Sequence, residues 1–173
     1  MILRPRDALA LDDWAALLRD RGSLPAGAPL PLRGIGSSEI PTRLPDDVGA
    51  YAEGDAVVAL SARRAGLESV PGSLAELADL ESLDLTGNRL TSLPSSIGGI
   101  TRLRRLHLDG NQLASLPEEV VALARLEELH LDGNPLARLP DGLGRLQALR
   151  TLSDALRSRP SPRRPGASRS CAR

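Results

Sequence analysis

The chain contains only three asparagines, and they are spaced 23 residues apart: Asn88, Asn111 and Asn134. Each lies in the same frame, L-x-x-L-x-L-x-G-N-x-L-x-x-L-P, whose copies begin at Leu80, Leu103 and Leu126. A weaker copy begins 23 residues earlier, at Val57, and has Ala65 in place of the asparagine. A period of this length is typical of architectures in which stacked units share one continuous core, because a single unit cannot bury its apolar side chains alone.

The spacing of apolar residues changes within each copy. Leu83 and Leu85 alternate with polar residues, which predicts a short strand with one buried face. After the Leu-Pro step the apolar spacing becomes 4, 3, 3, from Leu93 through Ile97 and Ile100, which predicts the apolar stripe of a short helix. Proline is tolerated at the opening of such a helix, where its missing N–H costs nothing. Each copy is therefore predicted to form a strand, a turn and a short helix, and about four such coils fill residues 57–156.

This pattern resembles the leucine-rich repeat family, in particular its short intracellular 23-residue type, found in Ras-scaffold proteins, plant disease-resistance-like proteins and bacterial proteins. The resemblance extends from Val57 to about Leu152. It implies an α/β solenoid, a right-handed superhelix with a short parallel sheet on its concave face and short helices on its convex face. The family's usual role implies a non-catalytic scaffold or adaptor that binds proteins in signal transduction.

The asparagines are expected to form a structural ladder. Their amides can satisfy backbone groups exposed where the chain leaves each strand. Loss of one member would leave buried polar groups unpaired, at a cost of ~1–3 kcal/mol each.

The regions outside the repeats are predicted to form caps and a tail. Within residues 1–22 a helix is expected over 7–21, capped by Asp7 and ended by Gly22, with Trp14 packed against its own domain. Residues 23–56 are rich in Pro and Gly and are expected to be irregular, with a vestigial coil at 43–51. Asp154 occupies a position where a strand leucine is expected, so the solenoid should stop there. The arginine-rich residues 157–173 are expected to be disordered.

Residues that alternate with the strand leucines define the concave face. By register they fall on four successive strands: Ala59, Ser61 and Arg63; Ser82, Asp84 and Thr86; Arg105, His107 and Asp109; Glu128, His130 and Asp132. Both signs of charge are present, which favours a protein or peptide partner of mixed charge. The predicted partner-binding residues are Asp84, Arg105, His107, Asp109, Glu128, His130 and Asp132.

Two alternatives to a binding module stay open from the sequence. The only histidines, His107 and His130, are expected side by side on neighbouring strands, each two residues before an aspartate. With Asp109 and Asp132 they offer ligands of the kind that bind Zn²⁺, which would suit a metal-binding or catalytic protein. The binding-module prediction itself includes no cofactor and no metal. The other alternative is a regulatory fragment or truncated relative of a larger repeat protein.

Composition excludes several classes of function. All 22 basic residues are arginine, which excludes chemistry that requires a lysine, such as Schiff-base or P-loop chemistry. Positive charge is concentrated in residues 157–173, so the repeats carry no footprint for nucleic acid. The single cysteine, Cys171, allows no internal disulfide, and no apolar stretch suits a signal peptide or a membrane span. A cytoplasmic protein of undetermined oligomeric state is expected.

Overall fold

A computed structural model describes residues 2–35 and 47–154. One α-helix, α1 (Pro5–Asp20), precedes a seven-stranded sheet whose strands lie side by side in chain order. The strands are β1 (Leu32–Gly34), β2 (Val48–Glu53), β3 (Ala56–Ala62), β4 (Ser82–Asp84), β5 (Arg105–His107), β6 (Glu128–Leu131) and β7 (Thr151–Asp154). Neighbouring strands pair in parallel, except β2 and β3, which are antiparallel.

A short 3-10 helix follows each of the four strands from β3 to β6. These helices are η1 (Gly72–Glu76), η2 (Ser95–Gly99), η3 (Glu118–Ala122) and η4 (Leu143–Arg145). Pro94 is extended and precedes η2, and its carbonyl accepts the first i→i+3 hydrogen bond, from the Ile97 N–H at 3.1 Å. Segments of at most five residues suit the tighter 3-10 winding. The described chain therefore forms four strand–helix coils and a final strand.

The core is a stack of leucines in matching register. Leu60, Leu83, Leu106 and Leu129 pair in sequence across β3 to β6, and all four are fully buried. This arrangement confirms the predicted α/β solenoid. It also explains why aromatic residues are nearly absent, since aliphatic rows of one size stack without gaps from coil to coil.

Helix α1 closes the amino-terminal end of this core. Trp14 and Leu18 are fully buried in it, so Trp14 does pack within its own domain. Gly22 ends the helix with a φ of 72°, a conformation that favours glycine. Asp7 does not cap the helix as expected, because α1 begins at Pro5. Its buried carboxylate instead accepts a hydrogen bond from the Val57 N–H at 3.0 Å and joins α1 to β3.

The structure corrects the prediction for residues 23–56 in two places. Strands β1 and β2 lie where irregular chain was expected, and β2 occupies the described part of the supposed vestigial coil. A turn at Gly54 and Asp55 joins β2 to β3 as a hairpin, with Gly54 at a φ of 62°. Residues 43–46 and the arginine-rich tail with Cys171 lie outside the described residues. Asp154, the predicted stop, pairs with Leu131 at the end of β7.

None of the helices in 2–35 and 47–154 combines the length and the apolar character that a membrane span requires.

Candidate functional site

The concave face is built from two rows of side chains that flank the leucine row. Strand pairing places one row at Ala59, Ser82, Arg105, Glu128 and Thr151, and the other at Ser61, Asp84, His107, His130 and Ser153. Parallel in-register pairing brings equivalent side chains of neighbouring strands to about 5 Å. The concave face is therefore two continuous stripes running across the coils.

The concave face is closed at its amino-terminal end. Ala59, Ser61 and Ser82 are buried, and Tyr51, which lies opposite Ala59 in the β2–β3 hairpin, packs with it and with Ile35 on this side. The hairpin that the repeat pattern did not predict thus contributes an aromatic ring to this face. Exposure increases only from β5 onward.

Asp84 was expected to be exposed, and that expectation is wrong. Its side chain is buried, its Oδ1 accepts a hydrogen bond from the Thr86 N–H at 3.0 Å, and its Oδ2 lies 3.4 Å from Arg63 Nε. A buried carboxylate held in this way stabilises the turn and the neighbouring strand. Of the predicted partner-binding residues, the other six lie on or directly after β5 and β6, where they are half-buried or exposed.

Three of these residues converge on one point. The His107 and His130 rings have centroids 4.6 Å apart and are tilted by 33°. Glu128 Oε2 lies 3.9 Å from His107 Nε2 and 4.0 Å from His130 Nε2. Glu128 precedes His130 by two residues on β6, so both side chains project from the same face of the strand. The Nδ1 of His130 faces the Ser153 hydroxyl at 3.3 Å.

The surroundings change the protonation of two groups. Burial lowers the pKa of His107; the charge of Asp84 opposes this shift, and His130 adds to it. Neutral imidazole is thereby favoured at His107 near neutral pH. Burial also raises the pKa of Asp109, although the hydrogen bond from the Asp132 N–H, at 2.8 Å to Oδ1, acts in the opposite direction.

The predicted group of metal ligands is only partly brought together. Among the described residues, the one cluster able to hold a metal ion is His107, Glu128 and His130, and it contains neither Asp109 nor Asp132. Asp109 instead uses its carboxylate to hold the turn after β6. Glu128 was missed as a ligand, although the two-residue spacing from His130 was a visible signal that both lie on one face.

The asparagines lie at the edge of this face and hold each turn to the coil before it. Asn111 is buried; its Nδ2 donates to the carbonyls of Leu85 and Leu108, at 3.0 and 2.8 Å, and its Oδ1 accepts from the Leu90 N–H at 3.1 Å. Asn134 repeats these three bonds 23 residues later. This hydrogen-bonded ladder fixes the spacing of the strands that carry the histidines.

Known proteins share this architecture. A family model described as "Leucine-rich repeat region" matches residues 72–163. A chain in the crystal structure of the BIR3–SERK2 complex from Arabidopsis thaliana is 34% identical, with a TM-score of 0.54 over 62% of this chain and 61% of that chain. A leucine-rich repeat protein of Leptospira interrogans is 36% identical, with a TM-score of 0.43 over 49% of this chain and 22% of that chain.

The chain thus spans less than two thirds of the length of either structure. No curated protein matches it. The 23-residue frame, the stacked coils with their asparagine ladder, and a family match over more than half of the sequence together show that this chain belongs to the leucine-rich repeat family.

Proposed function

We propose that this chain is a non-catalytic, cytoplasmic interaction module that binds a protein or peptide on the concave face between β5 and β7. The observation that carries the proposal is the alternation of buried and exposed side chains along β5 and β6. The leucines are buried in the core, whereas the polar side chains between them stay partly exposed. A fixed array of such side chains is suited to recognition, because the strands hold it rigid before a partner arrives.

The size and charge of this surface define the kind of partner. The accessible stripes cover three strands, since the face is closed by Tyr51 and the buried Ser61, Ser82 and Asp84 at the other end. That breadth suits a peptide or a single loop of a folded protein. Arg105 and Glu128 lie directly opposite each other in the β5–β6 register, so the surface presents both signs of charge. A peptide with both acidic and basic residues complements it.

The comparisons support the same role. The similar Arabidopsis chain was crystallised in a complex named for two proteins, BIR3 and SERK2. Solenoids of this kind generally use their extended concave surfaces for binding.

The test is affinity capture from a native host lysate with the full chain as bait. Asp132→Arg combined with Thr151→Arg adds two bulky charges to the open end of the concave face, and both positions are exposed. We expect capture of specific partners to fall more than about tenfold, since a lost charge-assisted contact is worth ~1.5–3 kcal/mol.

The matched control is Glu119→Arg combined with Thr101→Arg, which makes the same kinds of change at exposed positions on the helix side. Both double variants should keep the parental melting temperature, because exposed substitutions usually change stability by less than ~0.5 kcal/mol. Equal capture by the two variants would count against the concave face as the binding site.

A further inference from the structure

Two imidazoles and one carboxylate meet on adjacent strands of the concave face. One ligand atom from each of His107, Glu128 and His130 can be chosen so that all three lie within 4.8 Å of one another. The backbone dictates this meeting, since His107 and His130 are register partners and Glu128 shares a strand face with His130. Their side chains are 18%, 28% and 28% exposed, so the cluster is accessible without being fully solvated.

His107 has a polar atom that the protein leaves unused. Its Nε2 is buried and has no hydrogen-bond partner within residues 2–35 and 47–154. A buried nitrogen without a partner normally costs free energy, so such an atom calls for an explanation. It lies on the side of the ring that faces Glu128. A bound cation between these two groups would satisfy it.

His130 is held in an orientation that suits the same cation. When Nδ1 carries the ring hydrogen, it donates to the Ser153 hydroxyl oxygen at 3.3 Å. That tautomer leaves the lone pair of Nε2 directed toward Glu128, 4.0 Å away. Metal-binding histidines usually have a second hydrogen bond of this kind on the nitrogen that does not contact the metal.

From this geometry we infer that His107, Glu128 and His130 form a Zn²⁺ site on the concave face. Two imidazole nitrogens and one carboxylate oxygen are donors that zinc prefers, whereas Ca²⁺ and Mg²⁺ require mostly oxygen ligands. Tetrahedral coordination at ~2.0–2.2 Å places ligand atoms about 3.3–3.6 Å apart. The Glu128 Oε2 separations of 3.9 and 4.0 Å exceed that range by less than about 1 Å, so the three side chains must move closer together to bind the ion. This proposal replaces the sequence-based expectation of no metal.

The number of protein ligands argues against a purely structural role for the metal. Structural zinc sites normally have four protein ligands, whereas this one has three, all on two neighbouring strands. The fold does not need the metal to join distant segments, because the leucine core and the asparagine ladder already do so. A fourth coordination position would be available to water or to a donor atom from outside the protein.

The test is calorimetric titration of the untagged, metal-free full chain with ZnCl₂, in a Cys171→Ser background that removes the only thiol. We expect one equivalent to bind. His130→Ala should weaken binding at least about 100-fold by removing a direct ligand. Ser153→Ala should weaken it by about tenfold or more, because it acts through the orientation of His130. Titration with Co²⁺ should give the visible absorption of a four-coordinate ion and lose it in His130→Ala.

Two further variants keep the result decisive if a histidine variant folds poorly. Glu128→Gln preserves side-chain size at a partly exposed position and should weaken zinc binding at an unchanged melting temperature. Asp132→Asn is the matched control: it removes a carboxylate of the same strand region that lies outside the cluster and should leave binding unchanged. Zinc binding that is absent, that survives Glu128→Gln unchanged, or that depends equally on Asp132 would overturn the proposal.

Discussion

Single residues in this protein act across coil boundaries. Asn88, Asn111 and Asn134 are buried to nearly the same extent, yet their hydrogen bonds are not equivalent. Asn88 accepts from two backbone N–H groups, those of Ala65 and Leu67, at 3.0 and 3.1 Å, whereas Asn111 and Asn134 each accept from one. The first coil lacks an asparagine of its own, since Ala65 stands in that position. Asn88 therefore satisfies one more buried N–H group than either of the other two asparagines.

We predict that Asn88→Ala destabilises the protein more than Asn111→Ala or Asn134→Ala. Each substitution leaves buried backbone groups unpaired at ~1–3 kcal/mol apiece. Asn88→Ala leaves one more N–H group without a partner than the other two substitutions do. The free energy of unfolding, measured by urea denaturation, should therefore fall by about 1 kcal/mol more for Asn88→Ala than for the other two. A larger loss for Asn134→Ala would contradict this ranking.

The sequence predicts that His107 and His130 lie side by side, but it does not predict which other groups contact their rings. The 23-residue period alone places His107 beside His130, because in-register strands are a property of the repeat. The strand spacing places Glu128 on the same face as His130, but the contacts of its carboxylate and of the Ser153 hydroxyl with the imidazoles also depend on side-chain torsions, which no period encodes. The burial of Asp84 was also not predictable, since it depends on the contact of its carboxylate with Arg63 on the preceding coil.

Helix α1 and the β2–β3 hairpin add elements that the repeat pattern does not contain. The apolar positions of α1 were readable from helical spacing, and the observed bounds differ by one or two residues from those predicted. The repeat pattern does not predict β2, because this strand lies outside the 23-residue repeats and is antiparallel to β3. A signal was present, since Gly54 and Asp55 separate two apolar runs in the way that hairpin turns often do.

Helix α1 should depend strongly on one hydrogen bond. We predict that Asp7→Ala lowers the free energy of unfolding by ~1.5–3 kcal/mol, because the buried Val57 N–H loses a charged acceptor. The matched control is Asp13→Ala, the same change at an exposed position of the same helix, which should have little effect. Thermal unfolding followed by circular dichroism measures both. Equal stability of the two variants would show that the Asp7 hydrogen bond does not contribute to the docking of α1.

The two ends of the described sheet differ in how they are covered. At the amino-terminal end β3 is covered by β2 and α1, whereas β7 is the last strand of the described sheet. Leu149 and Leu152 near this second end are only partly buried, in contrast to Leu129 one coil earlier. Stability in such stacks is a sum of nearest-neighbour terms, so a coil with one neighbour opens more readily.

We predict that this asymmetry appears in amide hydrogen exchange. Amides of β7 should exchange roughly tenfold faster or more than those of β5, while those of β3 should stay as protected as β5. Mass spectrometry of peptides from the exchanged protein measures all three strands in one experiment. Uniform protection from β3 to β7 would show that the coils open as a single cooperative unit.

The asparagine ladder also has a direction along the chain. Asn111 bonds to Leu85 and Leu90, and Asn134 to Leu108 and Leu113, so every bond between coils points toward the amino terminus. A ribosome releases the amino end first, so the groups that an asparagine needs have already emerged when it appears. The turn of each coil, in contrast, stays incomplete until the next asparagine arrives. The ladder therefore allows the coils of a growing chain to be completed in the order in which they are synthesised, with one unfinished turn in the most recently synthesised coil.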